Sequence, residues 1–354
     1  MMLIDDYENL PKPNSEYEEK VIAFCKIWLD GQESFILKTS GSTGEPKPIS
    51  LSRKQMEASA LLTGKTFGLK EQNLALVCLN VEYIAGIMML VRGMVLNLKL
   101  LIIPPSSNPL LNIENQKIDF AAFVPLQLQS ILESNNTHFL NTLNQMKAII
   151  VGGAAVSQQL VEQIQRLSVP VYSTYGMTET VSHIAIRRIN GEDTSQNFKV
   201  LTGVKIGIDE RNCLNILAAA SNFELVQTND LVEIIAEDEF KLLGRFDNII
   251  NSGGVKIQLE KVENTVESLL ESLHINRFFA YGMADERLGQ KLILVLESEN
   301  LDDEIKRKLI EDIKSVSDTY QIPKNIFTIS AFSETPTGKI DKKATIKRLN
   351  LSKK

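Results

Sequence analysis

The stretch KTSGSTGEPKPISLS (38–52) is the most informative segment of the chain. A strand-like run leads into it, a loop of glycine, serine and threonine fills its middle, and a helix is expected to follow. Small residues of this kind allow backbone N–H groups to approach phosphate oxygens, and Lys47 adds positive charge. The segment is not a Walker A motif, because Pro46 stands where the second glycine is required and Pro48 follows Lys47. A phosphate-binding loop and an ordinary surface loop are therefore both open interpretations.

The composition narrows the classes of function. The chain has 354 residues, which suits two domains better than one ordinary core. Its formal net charge of −6 argues against a nucleic-acid partner, so any phosphate site is expected to be local. The three cysteines and three histidines lack the spacing of a disulfide framework or a zinc site. No apolar run is long enough for a membrane span, and the acidic start differs from a signal peptide, so we expect a cytoplasmic protein.

Strand-like apolar runs alternate with segments of helical periodicity, which is typical of α/β layering. Several runs are apolar throughout, as expected for strands that are covered on both faces. The strand candidates are FILKT (35–39), LALVCL (74–79), LKLLII (98–103), DFAAFV (119–124), KAIIVG (147–152) and VPVYST (169–174). Helix starts are indicated by Ser52 with Gln55, which form a capping-box pattern, and by Ser157.

The pattern changes in the last third of the chain. Shorter β segments begin near residue 200, and a mixture of helices and strands follows Arg245. Gly, Asp, Asn and Ser cluster in GRFDNIINSGG (244–254), which indicates a boundary. We therefore predict a large layered α/β domain over 1–246 and a small α+β domain over 247–354.

Two further segments at strand ends contain residues suited to nucleotide binding. In VYSTYGMTET (171–180), Tyr175 could stack on a base, Thr178 could bond a phosphate and Glu179 could hold Mg²⁺. In VGGAAV (151–156), small residues would let a flat ring lie against the backbone. Taken singly, Glu179 also fits a solvated carboxylate, and VGGAAV also fits a tight turn between a strand and a helix.

Three polar residues farther along the chain have equally simple interpretations on their own. Asp230 and Arg245 each end a β-like run, where turn residues are common. Lys339 follows Pro336 and Gly338 on a predicted loop, next to further lysines that indicate a solvated basic surface.

Taken together, these segments resemble the motifs of the adenylate-forming superfamily, which contains acyl-CoA synthetases, luciferases and peptide-synthetase adenylation domains. TSGSTGEPK (39–47) is similar to the phosphate loop of that family, and YGMTE (175–179) to its adenine and magnesium motif. Asp230 with Arg245 resembles its ribose-binding pair, and PTGK (336–339) the motif of its catalytic lysine. The resemblance implies an ATP-dependent ligase that forms an acyl-adenylate and then transfers the acyl group to a thiol.

The resemblance also implies a role for each matching position. Lys339 would bridge the acyl carboxylate and the α-phosphate, with Thr178 near that phosphate and Glu179 on Mg²⁺. The small domain would rotate about Asp247 between the two half-reactions and so be mobile. The remaining implied positions are Thr39, Ser40, Gly41, Ser42, Thr43, Gly44 and Lys47 for the β,γ-phosphates, Gly153, Ala154, Tyr175, Gly176, Asp230 and Arg245 for adenosine, and Gly253, Gly254 and Lys256 for the coenzyme A channel.

Within the superfamily, the sequence resembles the o-succinylbenzoate–CoA ligases of menaquinone biosynthesis. The segments that carry this similarity are AFVPLQLQSIL (122–132), VGGAAVSQQL (151–160), YGMTETVSHIAIRRI (175–189) and LGRFDNIINSGGVKI (243–257). Because that acid is a dicarboxylate, polar groups are expected in its pocket. The candidates are Arg92, Ser182, His183 and Tyr83, which takes the place of a histidine or aromatic residue of many relatives. His183 fits a histidine of the hydrophobic core as well as it fits a residue of the acid pocket.

The chain also departs from the superfamily pattern. The family usually has a long leading segment before the phosphate loop, whereas 37 residues precede Lys38 here. We therefore expect a shortened N-terminus, and the oligomeric state stays open, a homo-oligomer included. The alternative functions are another aryl- or acyl-CoA ligase, an enzyme that loads a carrier protein, and a catalytically silent nucleotide-binding homologue.

Overall fold

The computed structural model describes residues 1–38, 48–111, 113, 116–299, 301–335 and 340–349. The predicted phosphate-loop residues 39–47 and the lysine motif 336–339 lie outside this part of the chain. The described chain divides into two compact units. Unit 1 consists of Met1–Gly207, Asn215–Gln227 and Ile234–Lys241, and unit 2 consists of Ile208–Leu214, Thr228–Glu233 and Leu242–Lys354.

The secondary structure alternates strands and helices over most of the chain. The strands are β1 (Met2–Ile4), β2 (Ser34–Lys38), β3 (Pro48–Ser52), β4 (Leu74–Val77), β5 (Lys99–Ile102), β6 (Phe120–Phe123), β7 (Ala148–Val151), β8 (Val171–Gly176), β9 (His183–Arg188), β10 (Phe198–Val200), β11 (Lys205–Ile208), β12 (Cys213–Leu217), β13 (Val226–Ala236), β14 (Glu239–Arg245), β15 (Ile249–Ser252), β16 (Val255–Gln258), β17 (Phe278–Asp285), β18 (Gly289–Glu297) and β19 (Asn325–Ile329). The helices are α1 (Glu16–Leu29), α2 (Arg53–Phe67), α3 (Ile84–Leu96), α4 (Pro125–Glu133), α5 (Thr137–Asn144), α6 (Gln158–Ile164), α7 (Leu259–Ser272), α8 (Asp303–Val316) and α9 (Lys342–Arg348).

The sheet of unit 1 has a parallel centre. Its strand order begins β1-β5-β4-β6-β7-β8-β9-β10, with parallel pairing from β5 through β8 and antiparallel pairing of β1, β9 and β10 with their neighbours. The sheet continues beyond β10, which pairs antiparallel with β14 at Phe198↔Phe240 and Lys199↔Glu239. Strands β4, β6 and β7 are buried at every residue. Their continuous apolar character therefore reflects cover on both faces, and the predicted α/β class is confirmed.

Each face of this sheet has its own hydrophobic core. One face packs against α4, α5 and α6 through residues such as Leu128, Phe139 and Leu160. The other face packs against α1 and α3 through residues such as Ile22 and Leu90. The sheet thus lies between two helical layers and is held from both sides.

The segment after the predicted phosphate loop differs from the expectation. PISLS (48–52) does not lead directly into a helix but forms β3, which pairs antiparallel with β2 from Ser34↔Ser52 to Lys38↔Pro48. Helix α2 then begins as predicted, because the Ser52 hydroxyl accepts from Gln55 N at 3.3 Å and Gln55 Oε1 accepts from Ser52 N at 2.8 Å. The predicted cap at Ser157 is also confirmed, with Leu160 N donating to its hydroxyl at 3.2 Å.

In its described residues, unit 2 contains a mixed sheet and the helices α7, α8 and α9. Strand β18 lies between β17, which is antiparallel to it, and β19, which is parallel. Helices α7 and α8 bury Val262, Val266, Leu309 and Ile313 in one core. Helix α9 packs through Ile346 into a second cluster with Phe279 and Phe332. Across both units, no helix in the described ranges has the length and apolar character needed to cross a membrane.

Candidate functional site

The YGMTE segment forms a tight connection between β8 and β9. The pairing register of these strands shifts between Tyr175 and Gly176. A Cβ atom on Gly176 would lie 2.3 Å from the carbonyl oxygen of Ser182 and 2.6 Å from Cα of His183, so this position requires glycine. Val181 is held at φ 63°, which is unusual for a β-branched residue. The backbone of this turn therefore fixes where the residues on either side of it lie.

The two candidate polar residues of this turn differ in exposure. Thr178 and Glu179 belong to a 3₁₀ turn over Thr178–Thr180, in which the Thr178 side chain is buried and Glu179 is exposed. The described residues contain no group of three or more His, Cys, Asp or Glu side chains that could hold a metal. An exposed single carboxylate nevertheless fits Mg²⁺ that is shared with substrate phosphates, because this ion keeps waters and needs few protein ligands.

The predicted adenine positions lie at the same edge of the sheet. Strands β7 and β8 are parallel neighbours, so Gly153 and Ala154 after β7 and Gly176 at the end of β8 are at their carboxyl ends. The Thr174 hydroxyl donates to the carbonyl oxygen of Val151 at 3.2 Å and joins the two strand ends. Ligands of open α/β sheets commonly bind at this edge. The structure therefore brings these two motifs together.

Tyr175 lies mainly in the interior. Its side chain is 7% exposed, and its ring packs on Phe198 and edge-on to Phe240, with centroid distances of 5.8 and 5.2 Å. This aromatic cluster accounts for the residue type without a ligand. The stacking of an adenine on Tyr175 stays a prediction.

A buried polar cluster of Arg92, Thr63, Ser182 and His183 adjoins this turn. Arg92 of α3 is 2% exposed, and its Nη2 atom donates to Ser182 Oγ at 2.6 Å. Its Nε atom donates to Thr63 Oγ1 at 3.2 Å, and Nη1 lies 3.3 Å from Met89 Sδ. Ser182 Oγ in turn lies 3.2 Å from Nδ1 of His183. The structure thus brings together three of the four residues predicted for the acid pocket.

Burial determines the charge states in this cluster. It lowers the pKa of Arg92 to about 10, which leaves the guanidinium charged at neutral pH. Burial, with a further contribution from the charge of Arg92, lowers the pKa of His183 to about 3 and keeps the imidazole neutral. Among the described residues, no carboxylate forms an ion pair with Arg92. Arg92 is therefore a buried cation whose partners in the described part of unit 1 are uncharged.

Tyr83 is separate from this group. It occupies the N-cap position of α3, nine residues before Arg92, which corresponds to about 13 Å along the helix axis. Thr63 was not anticipated from the sequence, although it follows Met56 and Ala60 on the buried face of α2. Gln55 and Ser59 are buried on the same helix, so the sequence pattern did not single out Thr63.

Asp230 and Arg245, the two residues predicted to bind ribose, contact each other within unit 2, and their role at the ribose stays a prediction. Arg245 Nη1 donates to Asp230 Oδ1 at 3.0 Å, and Arg245 Nη2 donates to Asp247 Oδ2 at 2.8 Å. The Thr228 hydroxyl accepts from the backbone N–H of Asp230 at 3.0 Å and fixes the chain there. One guanidinium therefore connects the predicted ribose contact with the predicted hinge residue.

The residues predicted for the coenzyme A channel form a hairpin turn. Gly253 and Gly254 are the two loop residues between β15 and β16, with φ angles of 61° and 86°. A two-residue hairpin of this type requires positive φ at both positions, which explains both glycines without a ligand. Lys256 is exposed on β16. The channel role of these three residues stays a prediction.

Comparisons with known proteins agree with the motifs. The AMP-binding enzyme family matches residues 7–211. The 2-succinylbenzoate–CoA ligase of Staphylococcus epidermidis is 25% identical over 335 residues, which cover 87% of this chain and 68% of that protein. The enzyme of the same name from Lactococcus lactis is 24% identical, covering 91% of this chain and 75% of that protein.

Solved structures give a consistent result. An acyl-CoA synthetase (AMP-forming)/AMP-acid ligase II-like protein from Dyadobacter fermentans is 45% identical, with 97% of each chain covered and a TM-score of 0.65. The o-succinylbenzoate coenzyme A synthetase of Bacillus subtilis, solved with ATP and magnesium, is 22% identical, with 88% of this chain and 69% of that chain covered and a TM-score of 0.72. The second similarity shows a shared fold. Because the family match spans more than half of the sequence, the chain belongs to the AMP-binding enzyme family and is an enzyme of the AMP-forming ligase class.

Proposed function

We propose that this chain activates o-succinylbenzoate with ATP to an acyl-adenylate, with release of pyrophosphate, and then forms the coenzyme A thioester with release of AMP. This would place it in menaquinone biosynthesis. The observation that carries the choice of acid is the buried Arg92, whose partners among the described residues are all uncharged.

A buried guanidinium without a counterion is costly, since its desolvation is not balanced by an opposite charge. Two hydroxyls and a thioether accept from Arg92, and a thioether sulfur is a weak acceptor. A carboxylate that entered this region would supply the missing charge and a stronger acceptor. An acid with a second carboxylate, besides the one that reacts, therefore suits Arg92, and o-succinylbenzoate has one.

The names of the curated relatives support the same acid. At 24–25% identity they support the ligase family more firmly than the substrate. The choice of o-succinylbenzoate within that family therefore depends on the chemistry of Arg92, Ser182 and His183.

In the adenylation step, a weak carboxylate nucleophile approaches an anionic phosphate, so charge neutralisation and alignment are required. Glu179 would hold Mg²⁺, which neutralises phosphate charge when bound. Thr178, on the same 3₁₀ turn, would lie near the α-phosphate. Lys339 and residues 39–47, which are outside the described residues, would complete the phosphate contacts as the sequence motifs imply.

In the thioester step, the small C-terminal domain would turn about Asp247 and present the Gly253–Gly254 hairpin and Lys256 to coenzyme A. The exposed turn and the exposed lysine are compatible with a long, anionic thiol carrier. The resemblance of Asp247, Gly253, Gly254 and Lys256 to the corresponding positions of the superfamily supports this step.

The experiment is ATP-dependent release of pyrophosphate and AMP, measured with a panel of acids that includes o-succinylbenzoate, benzoate and succinate. Each acid is assayed with and without coenzyme A. Pyrophosphate release with o-succinylbenzoate, and AMP release that requires coenzyme A, would support the proposal. Turnover of benzoate without o-succinylbenzoate would indicate another aryl-CoA ligase, and turnover with a carrier protein in place of coenzyme A would indicate a loading enzyme. Absence of turnover with every acid would leave the catalytically silent homologue.

A further inference from the structure

The imidazole of His183 has a buried nitrogen without a hydrogen bond. His183 is 6% exposed, and its Nε2 atom has no hydrogen-bond partner in the described part of the chain. Its Nδ1 atom lies 3.2 Å from Ser182 Oγ. Buried polar atoms are almost always paired in folded proteins, so a single orphan on a side chain next to Arg92 requires an explanation.

The neighbours of His183 determine which nitrogen carries its proton. Arg92 can only donate, so Ser182 Oγ accepts at 2.6 Å and its own hydrogen is free to point elsewhere. If that hydrogen points to His183 Nδ1, one polar atom stays unpaired, namely Nε2–H. If Nδ1 carried the proton instead, both the serine hydrogen and the Nε2 lone pair would lack partners. We therefore assign the Nε2–H tautomer, which leaves a buried donor.

The charge of the imidazole limits what this donor can bind. His183 stays neutral over the physiological range because it is buried beside the positive Arg92. A neutral donor does not balance the charge of a carboxylate, which Arg92 can do. A neutral acceptor oxygen, such as that of a carbonyl group, is the better match for Nε2–H.

From this geometry we propose that His183 is a specificity-determining residue, whose Nε2–H donates a hydrogen bond to a carbonyl oxygen of the acid substrate. The inference rests on the proposed function and adds a second requirement to it. The acid would need a neutral carbonyl group within reach of His183 as well as the carboxylate that suits Arg92. The ketone of o-succinylbenzoate meets this requirement.

The test compares two acids and two matched variants. The acids are o-succinylbenzoate and its analogue in which a methylene group replaces the ketone. His183→Gln places an N–H donor near the Nε2 position and removes the contact of Nδ1 with Ser182. His183→Asn keeps a polar atom near the Nδ1 position, in reach of Ser182, and removes the donor at the Nε2 position, because its side chain is shorter. The readout is kcat/KM for ATP-dependent pyrophosphate release.

Wild-type protein should prefer the keto acid over the methylene acid by about 10- to 100-fold, as expected for a buried donor that is otherwise left unpaired. His183→Gln should retain most of this preference, and His183→Asn should reduce it to near unity. Thermal melting curves of both variants, compared with wild type, show whether each is folded.

Two outcomes would overturn the inference while the ligase function stands. One is equal kcat/KM of wild-type protein for the two acids, which requires no variant to fold. The other is full preference in His183→Asn and its loss in His183→Gln, because the residue would then serve only as the acceptor for Ser182. By contrast, absence of pyrophosphate release with either acid in wild-type protein would overturn the proposed function itself.

Discussion

The guanidinium of Arg245 donates to the carboxylate of Asp247 at 2.8 Å, and its second terminal nitrogen donates to Asp230 at 3.0 Å. The first carboxylate is the predicted hinge residue, and the second is the predicted ribose contact. Both ion pairs lie within unit 2 and are partly exposed. Any change in the backbone at Asp247 therefore acts on the same side chain that orients Asp230.

Asp230 and Asp247 should differ in their effects on ATP binding. Asp230→Asn should raise KM for ATP by about 10-fold, because an amide replaces a charged acceptor for the ribose hydroxyls. Asp247→Asn should change KM for ATP by less than about threefold, since exposed ion pairs contribute little. The measurement is the ATP dependence of pyrophosphate release at saturating acid. Equal increases in both variants would contradict a direct ribose contact by Asp230.

Lys339 should matter for one half-reaction only. Lys339→Ala is expected to abolish adenylation, because no other charge would bridge the acyl carboxylate and the α-phosphate. Thioester formation from preformed acyl-adenylate and coenzyme A should be largely retained. Lys343→Ala, which removes an exposed lysine four residues farther along, is the matched control and should leave both rates near wild type. Loss of both half-reactions in Lys339→Ala would contradict a rotation of the C-terminal domain.

Local sequence signals predicted much of unit 1. The strands β4, β6 and β7 were predictable because they are apolar at every residue, and α2 because its start carries a complete capping box. Strand β3 was missed because pairing with β2, and not the residue pattern of β3 itself, determines that it is a strand. In addition, Pro48 is typical of a loop. Pairing with another strand is a tertiary effect that a short window of sequence does not contain.

The same distinction applies to the site. The glycine-rich and YGMTE motifs are local and were visible in the sequence. The contact between Arg92 and Ser182 joins residues 90 positions apart, and Thr63 approaches Arg92 from a different helix. The proximity of Arg92, Ser182 and His183 therefore required the structure, although the residue types had already marked them as candidates.

Removal of the charge on Arg92 should separate substrate choice from stability. Arg92→Met should lower kcat/KM for o-succinylbenzoate by about 100-fold, because a carboxylate loses its counterion in a buried site. The same variant should not be less stable than wild type in urea, since replacing an uncompensated buried cation by an apolar side chain removes a desolvation cost. Arg92→Lys keeps the charge but loses the forked donors, so its kcat/KM should lie between the values of wild type and Arg92→Met. A stable Arg92→Met variant with unchanged kcat/KM for this acid would show that Arg92 does not contact the substrate.

The buried His183 should make unfolding dependent on pH. Its pKa of about 3 in the folded chain lies below the ordinary value of 6.5, so the unfolded chain binds a proton first as pH falls. The free energy of unfolding should therefore be fully retained above pH 6.5 and decline as pH falls from 6.5 towards 3. Between pH 7 and pH 5, His183 alone should lower the free energy of unfolding by about 2 kcal/mol, because the unfolded chain takes up one proton at this residue and the folded chain does not. Urea titrations at both pH values check this against His183→Gln, which has no titrating group at this position. If the variant loses as much stability as wild type over this range, His183 is not a neutral, buried imidazole.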